Sequence, residues 1–95
     1  MNEEKPVAKA LRTKLEAAFL PSTLVIEDES SRHAGHVGAR PEGETHFSVR
    51  IVSDAFAGMS RVERQRKIYA AVADELATRV HAISLVALTP DEAKR

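Results

Sequence analysis

Apolar residues recur at helical spacing near the start of the chain. Positions three and four apart lie on one face of a helix, and a proline is tolerated in the first helical turn. The spacing therefore predicts a first helix over residues 6–19. It begins at Pro6, and its apolar positions are Val7, Ala10, Leu11, Leu15 and Ala18.

Two segments that follow predict strands. Residues 23–27 are short and rich in β-branched side chains, which favour strands. In residues 45–52, Phe47, Val49 and Ile51 alternate with polar neighbours, the pattern of a half-buried strand. Between the two strands, residues 28–43 hold three of the four glycines and predict a long exposed loop. The two strands are expected to pair antiparallel through this loop.

The second half of the chain predicts a helix, a strand and a short final helix. Ser60 and Glu63 have the spacing of a capping box, and a helix is predicted to run from there to about residue 78. Residues 80–88 are aliphatic and predict a third strand, while Thr89 and Pro90 predict the start of the last helix. The apolar positions assigned to one face of the long helix are Val62, Tyr69, Val72, Ala73 and Leu76.

The resulting order is α-β-β-α-β-α. A helix as long as the second can connect two parallel strands, so we expect an α+β fold with a three-stranded mixed sheet and helices packed on one face. The 95 residues suit a single domain spanning residues 1–95. Residues 1–5 and 93–95 are expected to be frayed.

Composition narrows the classes of function. The chain has 14 Lys plus Arg against 14 Asp plus Glu and no Cys. A net charge of zero argues against broad attraction to nucleic acid or membranes. The lack of Cys excludes disulfides, thiolate catalysis and a metal site held by the chain's own cysteines. Since neither a membrane-length apolar stretch nor a targeting pattern is seen, we expect a cytoplasmic bacterial protein without membrane association.

Catalysis is not expected. The sequence has neither a phosphate-binding glycine loop nor a His-Glu-x-x-His helix. Ser30, Ser31 and His33 lie close in sequence to Asp28, but a glycine-flanked loop does not hold a nucleophile and its base in a defined geometry. We therefore predict a binding protein without catalytic residues.

The four histidines are the side chains suited to metal or proton chemistry near neutral pH. His33 and His36 lie in the predicted loop, and His81 opens the third strand. His46 lies on the second strand, on the face opposite to that of Phe47. His81 could approach the loop pair if the third strand begins beside the loop. Two or three imidazoles make an incomplete zinc site, so spacing alone leaves open whether they are ligands or solvated polar residues.

A basic cluster opens the second long helix. Arg61, Arg64 and Lys67 are predicted to fan around the side away from the apolar face, with Arg66 toward the flank of the core. Cations at a helix N-terminus oppose the macrodipole, and an anion such as a nucleic-acid phosphate would relieve this. The cluster fits either a solvated face or a nucleic-acid surface, and the lack of an aromatic stacking platform argues against the nucleic-acid surface.

The quoted residues resemble the BolA family. The resemblance runs from about residue 9 to residue 92 in family order and spacing. It rests on Glu44-Thr45-His46-Phe47-Ser48-Val49, Val52-Ser53-Asp54-Ala55-Phe56, Gly58-Met59-Ser60-Arg61-Val62, Arg64-Gln65-Arg66, Tyr69, Val80-His81-Ala82-Ile83 and Thr89-Pro90.

This resemblance implies a fold similar to class II KH domains and partnership with a monothiol glutaredoxin. Such pairs share a [2Fe-2S] cluster whose thiolates come from the glutaredoxin and from glutathione. The family's C-terminal histidine ligand corresponds to His81, and its loop ligand to His33, with His36 as the alternative. The isolated chain, a monomer or weak homodimer, is expected to hold no cluster. The implied role is iron–sulfur cluster trafficking and iron homeostasis.

The resemblance also implies an alternative, because bacterial members of the family are described as transcriptional regulators of morphology and stress response. DNA would then be a partner, bound by Arg61, Arg64 and Lys67. Two departures bear on this. Gln65 stands where the family often has His, and we place it near the core-facing side of the helix. Gly58 stands alone where KH domains carry a Gly-x-x-Gly loop.

Overall fold

The computed structural model describes residues 5–29 and 45–95. It contains helices α1 (Pro6–Phe19), α2 (Arg61–Ala71), α3 (Ala73–Thr78) and α4 (Pro90–Ala93), and strands β1 (Thr23–Asp28), β2 (His46–Val52) and β3 (Ala82–Leu88). A short 3-10 helix occupies Asp54–Phe56. The predicted elements are confirmed, with small differences in extent, one of which is that β2 begins at His46 rather than at residue 45. Strand β1 includes Asp28, β3 begins at Ala82 rather than at residue 80, and the long second helix is divided in two.

The strands form one mixed sheet in the order β1-β2-β3. Strand β1 pairs antiparallel with β2, with Ile26 opposite Val49. Strand β2 pairs parallel with β3, and there Val49 lies opposite Leu85. The predicted α+β fold with a three-stranded mixed sheet is therefore confirmed, and β2 is its central strand.

The core lies between the helices and one face of the sheet. On the other face, Val25, Arg50 and Val86 are exposed, so the helices pack on one face, as predicted. Helix α1 buries every fourth residue, from Val7 to Phe19. Ala18, which is predicted to lie on the apolar face, is exposed. The main buried residues of α1 and β2 are Val7, Leu11, Leu15, Phe19, Phe47, Val49 and Ile51.

The second helical segment is interrupted at Val72, whose φ of −114° and ψ of 27° are not helical. Ile68, Val72 and Val80 are buried, so the buried positions recur at multiples of four residues. Such a stripe turns by about 40° per step around an ideal helix. The continuous helix α1 carries a buried stripe of the same spacing, so this drift alone does not account for the break at Val72.

The helix termini follow the predicted chemistry. Ser60 and Glu63 form a full capping box, and the hydrogen bond from the Ser60 backbone lowers the pKa of Glu63. Thr89 and Glu92 form a second capping box at α4. The last residues, expected to be frayed, are hydrogen-bonded back to α4. Within residues 5–29 and 45–95, no helix is long and apolar enough to cross a membrane.

Candidate functional site

The sheet brings the start of β3 to both ends of the segment 30–44. The Thr45 carbonyl accepts hydrogen bonds from the N–H groups of His81, at 2.7 Å, and Ala82, at 3.3 Å. The N–H of Glu29 donates to the His46 carbonyl at 2.7 Å. Because β1 runs antiparallel to β2 and β3 runs parallel to it, the end of β1 and the starts of β2 and β3 meet at one edge. The condition under which His81 can approach the loop pair is therefore met.

His81 lies immediately before β3 rather than within it, and it is exposed. Its backbone is fixed by the bond to Thr45, while its imidazole is accessible from solvent. His33 and His36, the two predicted loop ligands, lie outside the described residues. The structure thus places one of the three predicted ligands, and it positions that ligand next to the segment carrying the other two.

A second imidazole adjoins His81. The rings of His46 and His81 stack with centroids 5.7 Å apart and planes 16° from parallel. The Nδ1 atom of His46 is hydrogen-bonded to the hydroxyl of Thr45 at 2.9 Å, and Thr45 is 1% exposed. A buried hydroxyl that holds one ring nitrogen restricts the orientation of that ring, so His81 packs against a fixed partner.

His46 is predicted to lie on the second strand, but it is not among the predicted ligands. The signal that could have found it is the parallel pairing of β2 with β3, which sets His46 opposite Ala82. Period-two alternation shows which face of a strand a residue occupies, but not which residue of another strand lies opposite.

An ion pair supports the turn that carries His81. The Nζ atom of Lys14 in α1 lies 2.9 Å from a carboxylate oxygen of Glu75 in α3, and this hydrogen bond raises the pKa of Lys14. The Glu75 carbonyl accepts from the N–H groups of Arg79 and Val80. These contacts connect α1, α3 and the residues leading into His81. Among the described residues, no three His, Cys, Asp or Glu side chains are grouped to hold a metal.

The predicted basic cluster does not form a single surface. Arg61, Arg66 and Lys67 are exposed, but Arg64 is only 7% exposed, which contradicts its predicted position away from the core. By contrast, Val62, assigned to the buried face, is 54% exposed.

Hydrogen-bond acceptors explain the burial of Arg64. Its guanidinium donates to the carbonyls of Met59 at 3.1 Å and Ala87 at 3.0 Å, and to both carboxylate oxygens of Glu92, the shorter contact being 2.6 Å. It also lies 5.9 Å from the centroid of the Phe56 ring. A buried charge is tolerated when it is paired and hydrogen-bonded in this way. The hydrogen bond from Arg64 is also the main reason that the pKa of Glu92 falls to about 2.

The same geometry corrects the position of Gln65. The sequence predicts it near the core-facing side of the helix, yet it is exposed. Because Arg64 and Ile68 define the buried stripe of α2, the residue that follows Arg64 is rotated about 100° away from it.

Comparison with known proteins agrees with this fold. A family model described as BolA-like protein matches residues 15–92. The chain is 51% identical over 86 residues to SufE-like protein 1, chloroplastic/mitochondrial, of Arabidopsis thaliana. It is 48% identical over 87 residues to Protein BOLA1, chloroplastic, of the same plant. The solved BolA domain of SufE1 from Arabidopsis thaliana superimposes with a TM-score of 0.84 at 48% identity, covering 95% of this chain and 99% of that one.

The matched regions are nearly the whole of this chain but only part of the two plant proteins. They cover 86% of the chain and 23% of SufE-like protein 1, and 90% of the chain and 54% of the chloroplastic protein. These organellar relatives do not support the expectation of a bacterial source. The match of the family model to more than half of the chain, together with the shared fold, shows that the chain belongs to the BolA-like protein family.

Proposed function

We propose that the chain binds a monothiol glutaredoxin and shares with it a glutathione-assisted [2Fe-2S] cluster, in iron–sulfur cluster trafficking and iron homeostasis. One observation carries the proposal. His81 presents an exposed imidazole on a backbone fixed by Thr45, at the edge of the sheet where the segment bearing His33 and His36 begins and ends.

The available donor atoms fit a shared cluster better than one held by this chain alone. The chain has no Cys, and thiolates are the usual ligands of iron–sulfur clusters. Its own contribution would be the His81 imidazole and a second imidazole from His33, or alternatively from His36. A glutaredoxin and its glutathione would supply the thiolates. When bound, the cluster would contribute electron-transfer or cluster-donor chemistry, and this chain's residues would bind and orient it.

The surroundings of His81 suit a docking surface. Thr78, Arg79 and Ala82, which flank it, are exposed together with it. A second protein can therefore approach the imidazole without unfolding any described element. The pair with His46 limits the number of directions in which the ring can point, which favours ligation by lowering the entropy lost on binding.

The alternative, a DNA-binding regulator, is less well supported by the geometry. Of its three assigned residues, Arg64 is already hydrogen-bonded to Glu92, Met59 and Ala87, so its charge is not available to a phosphate. Arg61 and Lys67 are exposed. Two exposed cations on a chain of zero net charge supply little of the phosphate neutralisation on which DNA affinity depends.

The test combines the purified chain with a [2Fe-2S]-loaded monothiol glutaredoxin and records visible circular dichroism. We expect a new spectrum with the unaltered chain and its loss with His81→Ala. Arg79→Ala, a change at an exposed neighbour, is the matched control and is expected to leave the spectrum intact. Separate His33→Ala and His36→Ala variants then identify the second ligand as the one whose removal alters the spectrum.

Two results would contradict the proposal. An unchanged spectrum on mixing the unaltered chain with the loaded glutaredoxin would exclude cluster sharing with that partner. A new spectrum that survives His81→Ala would show that complex formation occurs without the His81 ligand.

A further inference from the structure

A groove runs between α2 and β3 at the edge of the sheet. It has a volume of about 260 Å³ and is lined by Arg61, Arg64 and Gln65 of α2 and by residues 85–88 of β3. The volume is slightly below the roughly 300 Å³ at which drug-sized ligand sites begin. A groove of this size suits a short peptide segment. Strand β3 is an end strand of the sheet, so the groove follows a strand edge that no other strand of residues 5–29 and 45–95 covers.

Side chains occupy this edge at two points. Alternate residues of a strand direct their N–H and carbonyl groups to opposite sides. The Leu88 carbonyl accepts a hydrogen bond from the N–H of Ser53 and therefore points toward β2. The carbonyls of Ile83, Leu85 and Ala87 therefore point outward. The Tyr69 hydroxyl donates to Ile83 at 3.4 Å, and the Arg64 guanidinium donates to Ala87 at 3.0 Å.

Leu85 lies between these two blocked carbonyls. Within the described ranges, neither its N–H nor its carbonyl has a hydrogen-bond partner at this edge. An open pair of main-chain groups on an edge strand is the template on which an extended segment adds as a further strand. Because Tyr69 and Arg64 protect the carbonyls on either side, the segment that fits is short.

One rim of the groove carries a positive charge. The charged lining residues of the groove are Arg61 and Arg64. Glu92 already pairs with Arg64, whereas Arg61 is exposed at the rim. We infer that this groove binds a short, extended, acidic segment of a partner protein, which pairs its main chain with Leu85 and places a carboxylate against Arg61.

A peptide fits these features better than a nucleic acid does. Single-stranded nucleic acids are held largely by stacking of bases on aromatic side chains, and none of the residues lining the groove is aromatic. The feature left open at the edge is a main-chain donor and acceptor on the same residue, and an extended peptide supplies the complementary pair.

The groove is separate from the proposed cluster site. Residues 81 and 85 are about 13 Å apart along an extended chain, so a segment at Leu85 lies beyond the direct reach of a ligand at His81. The inference therefore does not depend on the proposed function.

The test is a titration of ¹⁵N-labelled chain with the peptide acetyl-Val-Asp-Val-Asp-Val-amide, followed by amide chemical shifts. We expect saturable shifts centred on Leu85 and Ala87. Arg61→Glu should weaken binding about tenfold, whereas Arg66→Glu, the same charge change at an exposed residue outside the groove, should not. Methylation of all five backbone nitrogens of the peptide should abolish binding by removing its main-chain donors.

Several outcomes would overturn the inference. These are the absence of saturable shifts at Leu85, equal binding of a peptide with Lys in place of Asp, and equal weakening by the two Arg variants. Shifts at Leu85 that appear with a thymidine oligonucleotide but not with the peptide would assign the groove to nucleic acid. Shifts at Leu85 that depend on protein concentration alone would assign it to a second copy of the chain. The spectrum of each variant reports directly whether it is folded.

Discussion

At the scale of single residues, the environment of each imidazole distinguishes His81 from His46. His81 is exposed, and its backbone bonds to Thr45. The ring of His46 is held by the Thr45 hydroxyl and stacks on the ring of His81. Thr45 therefore orders both histidines, one through its carbonyl and the other through its side chain.

This arrangement predicts that His46 sets the orientation of His81 through stacking. His46→Ala should change the ring-proton chemical shifts of His81 in the isolated chain, because the neighbouring ring current is lost. His46→Phe restores a ring without nitrogen atoms and should return most of the shift. The measurement is a two-dimensional NMR spectrum of the histidine rings, which needs no partner protein.

The same two variants separate stacking from ligation once a glutaredoxin is present. If His46 acts through its ring face, His46→Phe should retain the visible spectrum of the shared cluster. A spectrum lost equally in His46→Phe and His46→Ala would show instead that a nitrogen atom of His46 is required, which would contradict the positioning role.

At the scale of elements, the end of α1 is strained at one residue. Leu20 caps the helix with φ 46° and ψ 55°, the left-handed region that costs a residue with a Cβ about 1–2 kcal/mol. Its side chain is 84% exposed, so packing does not offset this cost. Glycine is the residue that helix C-termini of this kind prefer.

Leu20→Gly is therefore expected to raise the free energy of unfolding by about 0.5–1 kcal/mol, since relief of the backbone strain exceeds the added flexibility of the unfolded chain. Leu20→Ala is the matched control. It removes the same exposed side chain but keeps a Cβ, and it should change stability little. Denaturant unfolding monitored by far-ultraviolet circular dichroism measures both. Destabilisation by Leu20→Gly would contradict this account.

At the scale of the whole molecule, Arg64 joins three elements that are distant in sequence. It belongs to α2, and its guanidinium bonds Ala87 in β3 and Glu92 in α4. The pKa of Glu92 is lowered from 4.5 to about 2, first by the hydrogen bond from Arg64 and then by the backbone N–H of Thr89. The charged carboxylate thus helps to hold the C-terminal helix against the rest of the fold.

The pKa of Glu92 predicts part of the acid sensitivity of the protein. A carboxyl whose pKa is lower in the folded state stabilises the fold fully above its unfolded pKa, and this stabilisation is lost as the pH falls toward the folded pKa. The stability difference between the unaltered chain and Glu92→Gln should therefore be largest above about pH 4.5 and shrink toward pH 2.

Urea unfolding at a series of pH values measures this difference. Asp91→Asn, which removes the exposed carboxylate next to Glu92, controls for the loss of one negative charge from α4. A stability difference for Glu92→Gln that is constant from pH 7 to pH 2 would show that the charge of Glu92 does not contribute.

The sequence by itself determined the element order, most boundaries, the capping box at Ser60 and the inward face of β2. Each of these follows from residues close together in the chain, because helical and strand periods and cap chemistry are local. The BolA-like resemblance rested on the same local signals, and His81 could be singled out through it.

The tertiary structure decided the features that depend on contacts between distant segments. The burial of Arg64 requires Ala87 and Glu92, the pairing of His46 with His81 requires the parallel register of β2 and β3, and the open edge at Leu85 requires β3 to be an end strand. Helical periodicity assigns Arg64 to solvent because the predicted apolar face runs through Val62 and Leu76, and burying a charged side chain costs free energy. That cost is offset by the nearby Met59 carbonyl together with acceptors 23 and 28 residues further along the chain, and the packed fold alone brings these distant acceptors to it.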